Sequence, residues 1–131
     1  MQTHPNAELW RKGQEAFSRR DLESLKKFWA EDIVYHFPGA SSLAGDHRGL
    51  QAVLAFFAKL VEKDVRIVGV HDVLANDDHV AALVRVLIRA GGDETVQNAW
   101  TSCNVYTVRD GRIAEAWILP IDQAAVDGRL S

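Results

Sequence analysis

The spacing of apolar residues changes once along the chain, near residue 64. Before that point the dominant period is helical. Leu9, Trp10, Gly13, Ala16 and Phe17 recur at helical intervals and predict a first helix over about Asn6 to Arg19. Asp21 reads as an N-cap for a short second helix with an inward stripe of Leu22, Leu25, Phe28 and Trp29. Leu50, Val53, Leu54, Phe57, Leu60 and Val61 form the cleanest amphipathic stripe and predict a third helix. Ile33 to Phe37, β-branched and aromatic and stopped by Pro38-Gly39, reads as a strand, with residues 38 to 48 as a loop.

After residue 64 strands follow one another. Val65 to Ala75 turns at Asn76-Asp77-Asp78 into His79 to Ala90, and Gly91-Gly92-Asp93 turns that strand into Glu94 to Arg109. Asp110-Gly111, a strong two-residue hairpin signal, leads into Arg112 to Pro120, with a short final helix over Gln123 to Val126. The order predicts an α+β fold: three N-terminal helices packed on the concave face of a curved, mostly antiparallel sheet.

A two-residue loop at Asp110-Gly111 pairs Arg109 with Arg112, and counting back sets Cys103 opposite Ile118. The small, apolar face carrying Cys103 and Ile118 is expected to look inward. Trp100 and Trp117 are then expected on the outer face, where clustered aromatics point to a homodimer interface or to cross-strand packing.

Composition narrows the function classes. The 131 residues suit one domain, 1–131, with ordinary globular content at 47% hydrophobic and 25% charged. A net charge of −3, with basic residues only in short pairs, argues against a nucleic-acid partner. No apolar run approaches the roughly 18 residues of a membrane span, and the polar N-terminus lacks a signal-peptide core. A single cysteine excludes an internal disulfide and fits a cytoplasmic protein. The five histidines lack metal-ligand spacing, so neither a metal nor a cofactor is expected.

Three stretches carry a family resemblance: Phe28 to Tyr35, Gly45 to Leu50, and Val108 to Trp117. With them the chain resembles a nuclear transport factor 2-like protein of the SnoaL-like and ketosteroid-isomerase-like kind. The resemblance implies a cone-shaped α+β barrel with a cavity between sheet and helices, often dimerising through the sheet. It is weak for function, because such folds host several chemistries. The ketosteroid isomerases' carboxylate base corresponds to Phe37, their tyrosine to about Gly13 and their second acid to Cys103. The acid/base aspartate of SnoaL-type cyclases and a carboxylate of limonene-epoxide hydrolases correspond to Ile118. The hydrolases' tyrosine and arginine match Tyr35 and Arg85, while their second aspartate falls near Leu87.

The leading functional reading is therefore a protein that binds a small, mostly apolar molecule, aromatic or polycyclic, in a dry pocket. Its expected lining is Phe17, Trp29, Tyr35, Phe37, Phe57, Arg85, Thr101, Cys103 and Ile118. An enzyme of the cyclase, isomerase or epoxide-hydrolase type stays open, with Tyr35, Arg85 and Asp122 as candidate catalytic groups. A dimeric interaction module is the third reading. Each candidate also has a plainer role: Tyr35 as a core phenol bonded to backbone, Arg85 reaching solvent, Asp122 capping the final helix, Cys103 as a small hydrophobe. His36 is expected to face away from the cavity.

Overall fold

The computed structural model describes residues 4–39, 41–88 and 99–121. Helix α1, Pro5–Ser18, starts where Pro5 costs no hydrogen bond, and the His4 ring accepts from the Asn6 N–H. Helix α2, Leu22–Leu25, is one turn capped by Asp21. It ends sooner than its apolar stripe suggested, because Trp29 already opens strand β1, Trp29–Phe37. Strand β2, Gly45–Arg48, occupies part of the expected loop. Helix α3, Leu50–Glu62, follows.

Strands β3 (Val65–Ala75), β4 (His79–Ile88), β5 (Ala99–Arg109) and β6 (Arg112–Pro120) then run back and forth. The turn expected at Gly91-Gly92-Asp93, the strand start at Glu94, Asp122 and the helix over 123–126 lie outside the described residues. The sheet is six-stranded, ordered β2-β1-β6-β5-β4-β3. It is mixed, since β1 pairs with β6 in parallel and the other neighbours are antiparallel. It is curved but open, a half-cone rather than a closed barrel. Val53, Phe56, Phe57 and Leu60 of α3, with Trp10 and Ala16 of α1, bury against its inner face.

One residue reverses the face assignment made from the hairpin. Asp110 and Gly111 both take positive φ (54° and 74°) and make the expected tight turn, pairing Arg109 with Arg112 and Val108 with Ile113. The next pair is Thr107 with Glu115, which leaves Ala114 as an extra residue in a β-bulge. Beyond it Asn104, not Cys103, lies opposite Ile118. Because side chains alternate, this one-residue offset turns all of β5 over. Trp100, Ser102, Asn104, Tyr106 and Val108 are buried, while Thr101, Cys103 and Val105 sit half-buried on the outside. The same parity puts Val84 and Val86 of β4 inside and Arg85 outside.

Candidate functional site

A cavity of about 100 Å³ opens between α1, α3 and the inner sheet face. Its walls are mostly aromatic: Trp10 and Phe17 from α1, Trp29, Tyr35 and Phe37 from β1, Phe57 from α3, and Trp100 and Tyr106 from β5. The rings of Trp29, Tyr35 and Phe57 pack against each other with centroids 4.7 to 6.4 Å apart. Gly13 leaves room at the α1 wall, where an added Cβ would sit 3.7 Å from Trp29 Nε1.

The polar lining is Gln14 on α1, Tyr35 on β1 and a short run on β5. Ser102 Oγ donates to Asn104 Oδ1 at 2.6 Å, both buried. Donors on Asn104 and Trp10 stand beside the Tyr106 hydroxyl. Tyr35 and Tyr106 both pair with Ala116, Tyr35 from the β1 side and Tyr106 from the β5 side. That small, fully buried residue lets the two phenols approach across β6. Burial pushes the Tyr35 phenol well above its ordinary pKa, and nearby Tyr106 adds to the rise. Burial raises Tyr106 too, against the pull of the donors on Trp10 and Asn104. Both phenols therefore hold their protons at neutral pH. Among the described residues, no carboxylate, histidine, lysine or arginine lines the cavity.

Of the residues singled out from sequence, Phe17, Trp29, Tyr35, Phe37, Phe57 and Ile118 line this space. Arg85, Thr101 and Cys103 do not. The Ala114 bulge turns Thr101 and Cys103 outward, and Arg85 sits on that outer face, where Nη1 donates to Thr101 Oγ1 at 3.2 Å. A buried guanidinium without a carboxylate would be costly, so this outward placement is the physically cheaper one. Trp100 is likewise inside and cannot belong to an outer-face interface, whereas Trp117 remains outside. Asp122 is beyond the described residues. Sequence reading missed Trp10, Trp100, Ser102, Asn104 and Tyr106. Their alternation along β5 was visible, but only the bulge decides which half faces in.

A second polar cluster lies on the outer face. His36 faces away from the cavity, as expected. Its Nδ1 lies 2.7 Å from Asp46 Oδ1 and its Nε2 2.6 Å from Glu115 Oε2. Its ring stacks on Trp117 at 5.5 Å. Partial burial works against the charged ring, but the two carboxylate hydrogen bonds outweigh it and raise the His36 pKa. Among the described residues, no group of three or more histidine, cysteine or acidic side chains is arranged to hold a metal. No described helix is long and apolar enough to cross a membrane.

The sequence profile of the SnoaL-like domain matches residues 10–116. The chain belongs to the SnoaL-like domain family. This agrees with the fold, that of the nuclear transport factor 2-like proteins. The uncharacterized protein Rv0034 of Mycobacterium tuberculosis is 30% identical over 130 residues, covering 97% of both chains. Among solved structures, Bal32a from a soil-derived mobile gene cassette is 29% identical, covers 97% of each chain and superimposes with a TM-score of 0.88. TerC, co-crystallized with polyporic acid, has the same fold at 17% identity and a TM-score of 0.80, covering 97% of this chain and 98% of its own.

Proposed function

We propose that this SnoaL-like domain binds a small, mostly apolar molecule in the cavity between sheet and helices. The observation that carries the reading is the cavity's lining: aromatic walls around a buried hydroxyl, Tyr35, that has no hydrogen-bond partner among the described residues. Buried polar groups are normally satisfied, so an unpaired one facing an open space marks a place where a ligand supplies the missing partner. TerC, with the same fold, has been co-crystallized with a small molecule. An engineered apolar cavity of about 150 Å³ holds benzene, so the smaller space here takes one ring at most. A polycyclic ligand would have to project beyond it. General acid–base catalysis needs a proton carrier matched to neutral pH, and the described lining offers only two phenols with raised pKa values. Binding is therefore the better-supported activity.

Three of the four tryptophans, Trp10, Trp29 and Trp100, line the cavity and serve as reporters. Titration with toluene should change intrinsic fluorescence saturably in the native protein. It should do so weakly or not at all in Gly13→Leu, whose side chain fills the α1 wall. A native protein that shows no saturable change, or a Gly13→Leu variant that responds identically, would sink the proposal.

Two copies of the chain are proposed to pair through the outer sheet face. Half-buried Trp117 and Val105 and exposed Leu119 support this. Trp100 takes no part.

A further inference from the structure

The described wall of the cavity carries no charged side chain, so an acidic group on a ligand would have to lie outside it. A recess of about 230 Å³ adjoins the cavity where α1 ends and β3 begins. Phe17 and Ile67 line both spaces and form the partition between them. Gln14 of the cavity wall accepts a hydrogen bond from Ser18 of the recess at 3.0 Å, so one turn of α1 runs from one space to the other. The rest of the described recess lining is Arg20, Arg66 and Val68, which gives it two guanidiniums and no carboxylate.

The backbone holds this arrangement at a cost. Arg20 and Asp64 stand one residue past the caps of α1 and α3, and both take positive φ (60° and 52°), where glycine is the unstrained choice. Their side chains pair: Arg20 Nη2 donates to Asp64 Oδ1 at 2.9 Å, and Arg20 Nη1 donates to the Val65 carbonyl at 3.1 Å. The Arg20 guanidinium also lies 5.2 Å over the Phe17 ring and fixes the partition. Arg66 Nε donates to the same Asp64 oxygen at 2.7 Å. Its Nη1 and Nη2 have no partner among the described residues, and its side chain is 43% exposed. With Nε turned to Asp64, the Nη1–Nη2 edge is the open one. A carboxylate meets that edge with two parallel hydrogen bonds.

Resting on the binding reading above, we propose that the recess is an anion subsite and that the protein takes arylalkyl carboxylates. One ring fills the cavity, a flexible chain passes Phe17 and Ile67, and the carboxylate sits on Arg66. Two guanidiniums against one aspartate leave a single positive charge in this group, which matches a monoanion better than a phosphate monoester.

The test titrates 4-phenylbutyrate and 4-phenylbutanamide, its uncharged near-isostere, into the native protein and Arg66→Gln by calorimetry at low and high salt. The native protein should bind the acid more tightly than the amide. Arg66→Gln should weaken the acid about five- to tenfold and leave the amide unchanged. Thermal melts check that the variant folds. Salt supplies a readout on the native protein alone: the acid's affinity should fall as ionic strength rises, and the amide's should not. An amide that binds as tightly as the acid, an acid affinity insensitive to salt, or equal effects of Arg66→Gln on both probes would overturn the anion subsite. Failure of both probes while toluene still binds would overturn the subsite alone. Failure of toluene as well would overturn the cavity reading with it.

Discussion

His36 shows how much a single side chain can be constrained without taking part in a cavity. Each ring nitrogen lies within hydrogen-bond distance of a carboxylate, an arrangement that favours the protonated ring, and the ring stacks on Trp117. Its folded pKa is raised above the ordinary 6.5. Such a group contributes stability that is fully present below its unfolded pKa and is lost as pH rises through the raised folded value. Asp46 has the opposite sign. Its hydrogen bond to His36 holds its pKa below 3.8, so its contribution is present above that value and fades as pH falls through the lowered one. Urea unfolding of the native protein and His36→Gln should therefore differ most between the two groups' ordinary values, 3.8 and 6.5, and the gap should narrow as pH rises above that window. A pH-independent gap would mean that the contacts of His36 are steric rather than ionic. Tyr35 is the complementary case, a buried hydroxyl whose removal in Tyr35→Phe should leave stability nearly unchanged, because it gives up no internal partner.

Elements were largely legible, and their faces were not. The helical stripe of Leu50 to Val61 and the Asp110-Gly111 turn led directly to α3 and the β5–β6 hairpin. Strand β2 escaped because Gly45-Asp46-His47-Arg48 has none of the apolar alternation that marks a strand; its pairing with β1 supplies what composition lacks. Strand β4 is apolar on both sides, Val80, Ala82, Val84 and Val86 against Ala81, Leu83 and Leu87, so its pattern could not say where Arg85 points. The Ala114 bulge then inverted β5, exchanging Cys103 for Asn104 and Thr101 for Ser102. Two of the nine expected lining residues, Thr101 and Cys103, face outward because of that one inserted residue. The outer face it creates belongs to the proposed dimer. Sedimentation of Trp117→Lys should show monomer where the native protein sedimentes as a dimer, and Cys103 should react with a maleimide faster in that variant. A dimer that persists in Trp117→Lys, with Cys103 equally reactive, would place any association elsewhere.

At the scale of the whole molecule, the cavity exists because β6 lies between β1 and β5. That arrangement joins Tyr35 to Tyr106 through Ala116, across 71 residues of chain, and no local pattern encodes it. The helices close the inner face with aromatic rings, the bulge sets which half of β5 meets them, and the result is an apolar space bordered by Tyr35 and Tyr106. The family's fold is kept, and the described wall carries amide and phenol groups and no carboxylate, which fits the proposed binding of a ligand. The most direct test is a crystal structure of the protein grown with toluene. The account predicts density for the ring between α1 and β1, its carbons about 3.5 to 4.0 Å from the aromatic walls. A cavity left empty while toluene occupies the outer face would contradict it.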